Sequence, residues 1–226
     1  MNKKILVLAI VSVLSLSSVS YASENSDNIA KSKACVEQAR EFTRKSDFVN
    51  AEKKLNEAIK LNNKNDEAYF DLGKSLFGKN DYKIAVNYFS KAISINPKKD
   101  EYYVMRAAAE ILLSDLKPAI NDFNKAIEIN PKNQFAYIAL GTFYGRFGYF
   151  EEALGYYNKA EECTDGTDEQ LYNSRAEIKV NLKNYSGAIE DLRKAKTIAK
   201  KKNAPKSVIS LDEKIKEIQA GMDVFK

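Results

Sequence analysis

Ser32, Asp66, Asp100 and Gln134 open four consecutive blocks of 34 residues, and Glu169 opens a fifth after one inserted residue. Position 8 of the blocks holds Ala39, Gly73, Ala107, Gly141 and Ala176. Position 20 holds Ala51, Ala85, Ala119, Ala153 and Ala188, and position 27 holds Ala58, Ala92, Ala126, Ala160 and Ala195. All fifteen slots carry alanine or glycine. Bulk recurs between them: Tyr69, Tyr103, Tyr137 and Tyr172 at position 4, Phe48, Tyr82, Leu116, Phe150 and Tyr185 at position 17, and Leu55, Phe89, Phe123, Tyr157 and Leu192 at position 24. A fixed period of this length demands one supersecondary unit stacked on copies of itself, because each unit buries its apolar face only against a neighbour.

The spacing 17, 20, 24, 27 is one face of a helix. Two helices approach to about 8–10 Å only where the side chains at the crossing are small, and large residues fill the adjoining grooves. Each block is therefore predicted as a first helix over positions 1–14, a short turn, and a second helix ending near position 31. Asp47, Asp81 and Asp115 recur at the turn, where a short acceptor can cap the second helix. Asn96–Pro97 and Asn130–Pro131 stop second helices, and Pro118 falls in an opening turn, where proline is tolerated. Nine glycines and four prolines in 226 residues argue against an all-β fold with many tight turns. The expected fold class is all-α.

These columns resemble the tetratricopeptide repeat family over Ser32 to Lys202. Repeats two and four are the most typical, with Tyr69, Leu72, Gly73 and Tyr137, Leu140, Gly141 in the leading helix. Repeat one departs with Cys35 and Gln38, and repeats three and five place Arg106 and Arg175 at position 7. The resemblance implies a right-handed superhelical solenoid of antiparallel helix pairs, about five units at 32–65, 66–99, 100–133, 134–167 and 169–202. Residues 203–226 follow as a C-terminal capping helix, with Val208, Leu211, Ile215 and Ile218 at helical spacing.

Residues 1–22 read as a signal peptide: Lys3 and Lys4, an apolar run from Ile5 to Val19, and a Ser20-Tyr21-Ala22 cleavage site. The run is shorter than the about 20 apolar residues a spanning helix needs, so cleavage after Ala22 is expected and an uncleaved anchor is the alternative. The expected location is periplasmic or secreted. Residues 23–31 are polar and are expected to form a flexible linker. Cys35 and Cys163 lie three repeats apart, too far for a bridge that needs Cα atoms within about 7 Å.

In such a solenoid the first helices line a concave groove, so positions 2, 5, 9 and 12 form the candidate contact set. The resemblance implies that a partner protein or peptide is held there. The expected groove comprises Phe70, Phe77, Val104, Ala108, Ile111, Phe135 and Ile138, edged by Glu67, Lys74, Glu101 and Thr142. An apolar strip of this size favours an amphipathic helix or extended peptide laid into it. It is equally open to coverage by the chain's own C-terminal helix or by a second copy, giving a homo-oligomer. Val36, Phe70 and Val104 at position 5 do not supply the basic and amide groups of a peptide-carboxylate clamp.

The chain contains no histidine, which excludes Ser/His/Asp and Cys/His catalysis, a zinc-protease helix and a zinc finger. A carboxylate-based hydrolase is the competing class, yet no acidic residue sits in a motif, and exposed helical carboxylates are ordinarily solvent contacts or partners of lysine. Glu161, Glu162, Asp165 and Asp168 lack the spaced loop of a calcium site. No cofactor motif occurs, so the reading is a non-catalytic adaptor with neither cofactor nor metal. A net charge of +5 disfavours nucleic acid. The segment 193–206 carries Arg193, Lys194, Lys196, Lys200, Lys201, Lys202 and Lys206 without an acid. It reads first as a solvated helix end, and otherwise as a contact for a membrane surface or an acidic partner.

Overall fold

The structure is a computed structural model that describes residues 25–224, and every regular element among them is a helix. The helices are α1 (25–44), α2 (Phe48–Leu61), α3 (Asp66–Gly78), α4 (Tyr82–Ile95), α5 (Asp100–Leu112), α6 (Leu116–Ile129), α7 (Gln134–Arg146), α8 (Phe150–Cys163), α9 (Glu169–Asn181), α10 (Tyr185–Lys201) and α11 (Pro205–Val224). They fall into two compact units, one ending at Asp115 and the other beginning at Leu116. The expected signal peptide lies outside the described residues. Residues 25–31, expected as a flexible linker, are instead the opening turns of α1. An Asp27–Lys31 ion pair one helical turn apart supports them.

The leading helices end one residue earlier than expected, and one device ends them all. Position 15 is left-handed in every repeat: Ser46 (φ 60°), Asn80 (66°), Ser114 (62°), Gly148 (82°) and Lys183 (58°). The next N–H then reaches back to the position 11 carbonyl, from Asp47 to Phe42 (2.9 Å), Asp81 to Leu76 (2.9 Å), Asp115 to Glu110 (2.9 Å), Tyr149 to Tyr144 (3.0 Å) and Asn184 to Lys179 (2.8 Å). This is the Schellman arrangement, which satisfies carbonyls the helix leaves open. Of the expected caps, Asp47 accepts from the Asn50 N–H, whereas Asp81 offers only its carbonyl, to Ala85 at 2.9 Å. Asn65, Asn133, Asp168 and Asn184 cap α3, α7, α9 and α10 with their side chains.

In the first unit, α1 packs on α2 and α3 through Cys35, Val36, Ala39, Ala51, Leu55, Ala58, Ala68 and Leu72. Phe70, Ala85, Phe89, Ala92, Tyr102 and Ala109 join α3, α4 and α5. Full burial of a ring such as Phe89 is worth about 1.5–3 kcal/mol. Polar seams add register: Asn65 donates to Ser32 Oγ (2.8 Å), which donates to the Ala58 carbonyl (2.8 Å), all buried. Asp66 accepts from Asn96 and from the Tyr102 hydroxyl, both at 2.9 Å, linking consecutive repeats.

In the second unit, Tyr137, Ala153, Tyr157, Ala160, Leu171 and Ile178 join α7, α8 and α9. The apolar side of α11 is taken up by repeat five, where Leu211 and Ile215 are buried with Val208 and Ile218 beside them. A fold-back of this helix over the groove is therefore not what it does. The arginine at position 7 of repeat five is also explained. Arg175 makes a two-pronged pair with Asp191 at 2.8 Å on both arms, and also bonds Asn158 (3.0 Å) and Glu161 of α8. Lys179 reaches Asp191 at 2.7 Å. One buried charged cluster thus ties α8, α9 and α10.

Candidate functional site

Successive leading helices touch one another, α3 with α5 in the first unit and α7 with α9 in the second. Positions 2, 9 and 12 of these helices stay at least partly open, whereas position 5 is half-buried at Val104 and Ile138 and closed at Phe70, where the expectation fails. Val36 and Phe70 are buried. The Phe70 ring lies 5.7 Å from Phe89 and 4.5 Å from Tyr102 between centroids, so it is a packing knob between repeats two and three. An aromatic at position 5 meets the position 24 ring behind it and the next leading helix beside it, which leaves no face for a ligand.

The rest of the expected strip in the first unit is open in part. Phe77 is half-buried with its ring edge on Tyr82 (5.3 Å), and Val104, Ala108 and Ile111 are half-buried along α5, with Glu101 exposed. Lys74 is exposed, stands 4.8 Å over the Phe70 ring and pairs with Asp71 at 2.8 Å. Glu67 accepts from Arg40 at 3.0 Å. Arg40 also binds Asp71 (2.8 Å) and Glu37 (2.7 Å), so the polar edge expected at Glu67 and Lys74 continues onto α1 as a charged lattice. Sequence reasoning missed Arg40, although it occupies position 9, the register of Lys74. Next to this lattice a cleft of about 510 Å³ opens between α1, α2 and α3, with Ala39, Leu55 and Phe48 inside and Arg44 and Lys79 at its border.

In the second unit, Phe135 at position 2 of α7 is 72% exposed. Ile138 is half-buried and Thr142 exposed on the same face, with the Thr142 hydroxyl bonded to the Ile138 carbonyl and to the Tyr157 hydroxyl, both at 2.9 Å. At the far end of α7, Phe143, Tyr144, Phe147, Tyr149 and Tyr156 form a chain of ring contacts at 4.8–6.1 Å. Phe147 and Tyr149 are more than half exposed. A second cleft, about 650 Å³ and polar, lies between α9 and the α10–α11 corner.

Of the acidic residues weighed for chemistry, Glu161, Asp165 and Asp168 have structural partners. Glu161 receives Arg175 and Lys194, and its carboxyl is held at about 2, chiefly by the Arg175 hydrogen bond. Asp165 accepts from Thr167, and Asp168 caps α9 and accepts from Gln134 at 2.7 Å. Among the described residues no group of three or more Cys, Asp or Glu side chains is placed to hold a metal. Cys35 is a buried thiol and Cys163 a partly buried one, and both are free.

Residues 66–99, 100–133 and 169–202 match models of the tetratricopeptide repeat, the last two blocks matching one and the same model. No curated protein matches the chain. Among solved structures, MamA 41-end from Desulfovibrio magneticus RS-1 is 19% identical with a TM-score of 0.65, covering 76% of this chain and 96% of that one. Pseudomonas aeruginosa pilF is 13% identical with a TM-score of 0.67, covering 86% and 95%. YrrB, described as a TPR protein with an unusual peptide-binding site, is 22% identical with a TM-score of 0.58, covering 73% and 84%. At these identities the likeness is one of fold.

Proposed function

We propose that this array of tetratricopeptide repeats is a non-catalytic adaptor that holds a peptide or helix of a partner protein on the open faces of its leading helices. The observation that carries the reading is Phe135, a large aromatic left 72% in water at position 2 of α7, with Ile138 and Thr142 on the same face. Rings at most other repeat positions are used in packing, so an exposed one on an inner-helix position is a ready anchor for an apolar side chain of a ligand. Val104, Ala108 and Ile111 offer a shorter apolar strip of the same kind on α5. The peptide-binding site named for YrrB supports the same use of this fold. The leader-like residues 1–22 support a role outside the cytoplasm, in the cell envelope or beyond it.

A displayed random-peptide library selected on the full chain, with binders remeasured on Phe135→Glu and Ile111→Glu, tests the proposal. The expected result is at least about tenfold weaker binding, equal to about 1.4 kcal/mol, with unchanged thermal melting. Phe70→Glu is not a suitable control, because Phe70 is 3% exposed and a charge there would unfold its seam. Peptide binding that ignores both substitutions would remove the groove from the account. A light-scattering mass of a dimer that Phe135→Glu reduces to a monomer would give the face to a second copy of the chain.

A further inference from the structure

The α10–α11 corner carries charge that the fold does not use. Residues 193–206 hold seven cations and no anion, while the whole chain nets +5, so the remainder of the chain is net acidic. Two of the seven have internal partners, Lys194 with Glu161 (3.3 Å) and Glu190 (3.5 Å), and Lys196 with Asp212. The other five, Arg193, Lys200, Lys201, Lys202 and Lys206, are exposed and make no ion pair among the described residues.

Helix stabilisation accounts for only part of this. Lys200 and Lys201 lie in the last turn of α10, where the macrodipole favours a cation. Lys202 is the C-cap of α10 and shares that end, whereas Lys206 lies in the first turn of α11, where the same dipole opposes a cation. Besides Glu161, Glu190 and Asp212, which pair with Lys194 and Lys196, Asp168 and Glu169 at the start of α9 line the cleft beside Lys202 and Lys206, and Asp168 is engaged as the α9 cap.

We propose that this corner docks on an anionic lipid surface. Four of the five free cations are lysines, compact hydrated charges on flexible stems. Such groups suit a diffuse sheet of headgroups, whereas a carboxylate-bearing protein partner is better met by the forked guanidinium of arginine. Ile209, one turn beyond Lys206 on α11, is 59% exposed and supplies an apolar side chain for the headgroup boundary while the lysines reach outward. No helix among the described residues is long and apolar enough to cross a membrane, so the contact is a surface one. The inference is independent of the groove, since none of these residues lies on the predicted strip.

The test is sedimentation of the full chain with phosphatidylcholine vesicles and with phosphatidylcholine–phosphatidylglycerol vesicles, at low salt and at about 0.15 M salt, where charges are screened beyond roughly 8 Å. Binding to the anionic vesicles alone, weakened by salt, is expected. At about 1 kcal/mol per lysine, replacing Lys200, Lys201, Lys202 and Lys206 by glutamine lowers it by roughly two to three orders of magnitude. Circular dichroism of that variant should match the parent. Equal binding to neutral vesicles, or anionic binding that survives the four substitutions, would assign the contact to the apolar Ile5–Val19 run instead. No vesicle binding at low salt, or capture by polyglutamate in preference to anionic vesicles, overturns the proposal.

Discussion

A Cβ built on Gly73 would lie 2.6 Å from the Phe89 ring, closer than packed carbons tolerate. Gly141 stands in the same relation to Tyr157, with a built Cβ at 3.1 Å. In repeats one and five the same two positions hold Ala39 with Leu55 and Ala176 with Leu192. In these four repeats glycine goes with a ring and alanine with leucine, which balances the volume at the crossing, while repeat three pairs Ala107 with Phe123.

Gly73→Ala therefore destabilises by about 1–3 kcal/mol through overpacking, despite the better helix propensity of alanine. Adding Phe89→Leu, which reproduces the pairing of repeats one and five, should recover most of that loss. Urea unfolding of both single variants and the double variant measures it. Additive losses would show that the two residues do not share one space.

Arg175 and Asp191 are both almost fully buried and meet at 2.8 Å on two arms. Arg175→Met alone leaves Asp191 facing only Lys179 in a dry site, and a loss of about 3–5 kcal/mol is expected. Arg175→Met with Asp191→Leu should lose clearly less than the sum of the two single changes. Denaturant midpoints of the four members of the cycle give the coupling.

The same cluster makes stability depend on acid. The Arg175 hydrogen bond holds the Glu161 carboxyl at about 2, below its ordinary 4.5. A carboxyl depressed in the folded state binds fewer protons folded than unfolded. Its contribution is complete above pH 4.5 and is lost as pH falls from there towards 2. Glu161→Gln should flatten the decline of melting temperature across that window while leaving the slope at neutral pH unchanged.

The left-handed turns offer a further check. Ser46, Ser114 and Lys183 hold φ near +60° with a Cβ that disfavours it, where repeat four uses Gly148. Lys183→Gly should raise stability by up to about 1 kcal/mol, the relieved strain being offset in part by greater freedom of the unfolded chain. Gly148→Ala should lower it by about 1–2 kcal/mol. Thermal melts of the pair suffice, and the two changes must have opposite signs.

Helix count, helix faces and the fifteen small positions were legible in the residues, and all fifteen small residues are buried. A 34-residue period with small residues at fixed columns leaves a chain few ways to bury its aromatics other than stacked helix pairs. The capping role of α11 was legible for the same reason, since its apolar residues follow one stripe.

The candidate surface was legible only in part, because periodicity marks the face a residue lies on and not what stands in front of it. Phe70 and Phe135 both read as groove rings, yet Phe70 is enclosed by Phe89 and Tyr102 while Phe135 is left in water. Arg175 read as a departure from the repeat, and its partners lie 14 to 17 residues away on neighbouring helices. Burial and charge pairing are settled by neighbours distant in the chain. The residues by themselves determined the helix pairs and their seams, and only the tertiary packing decided which rings and charges were left for a ligand.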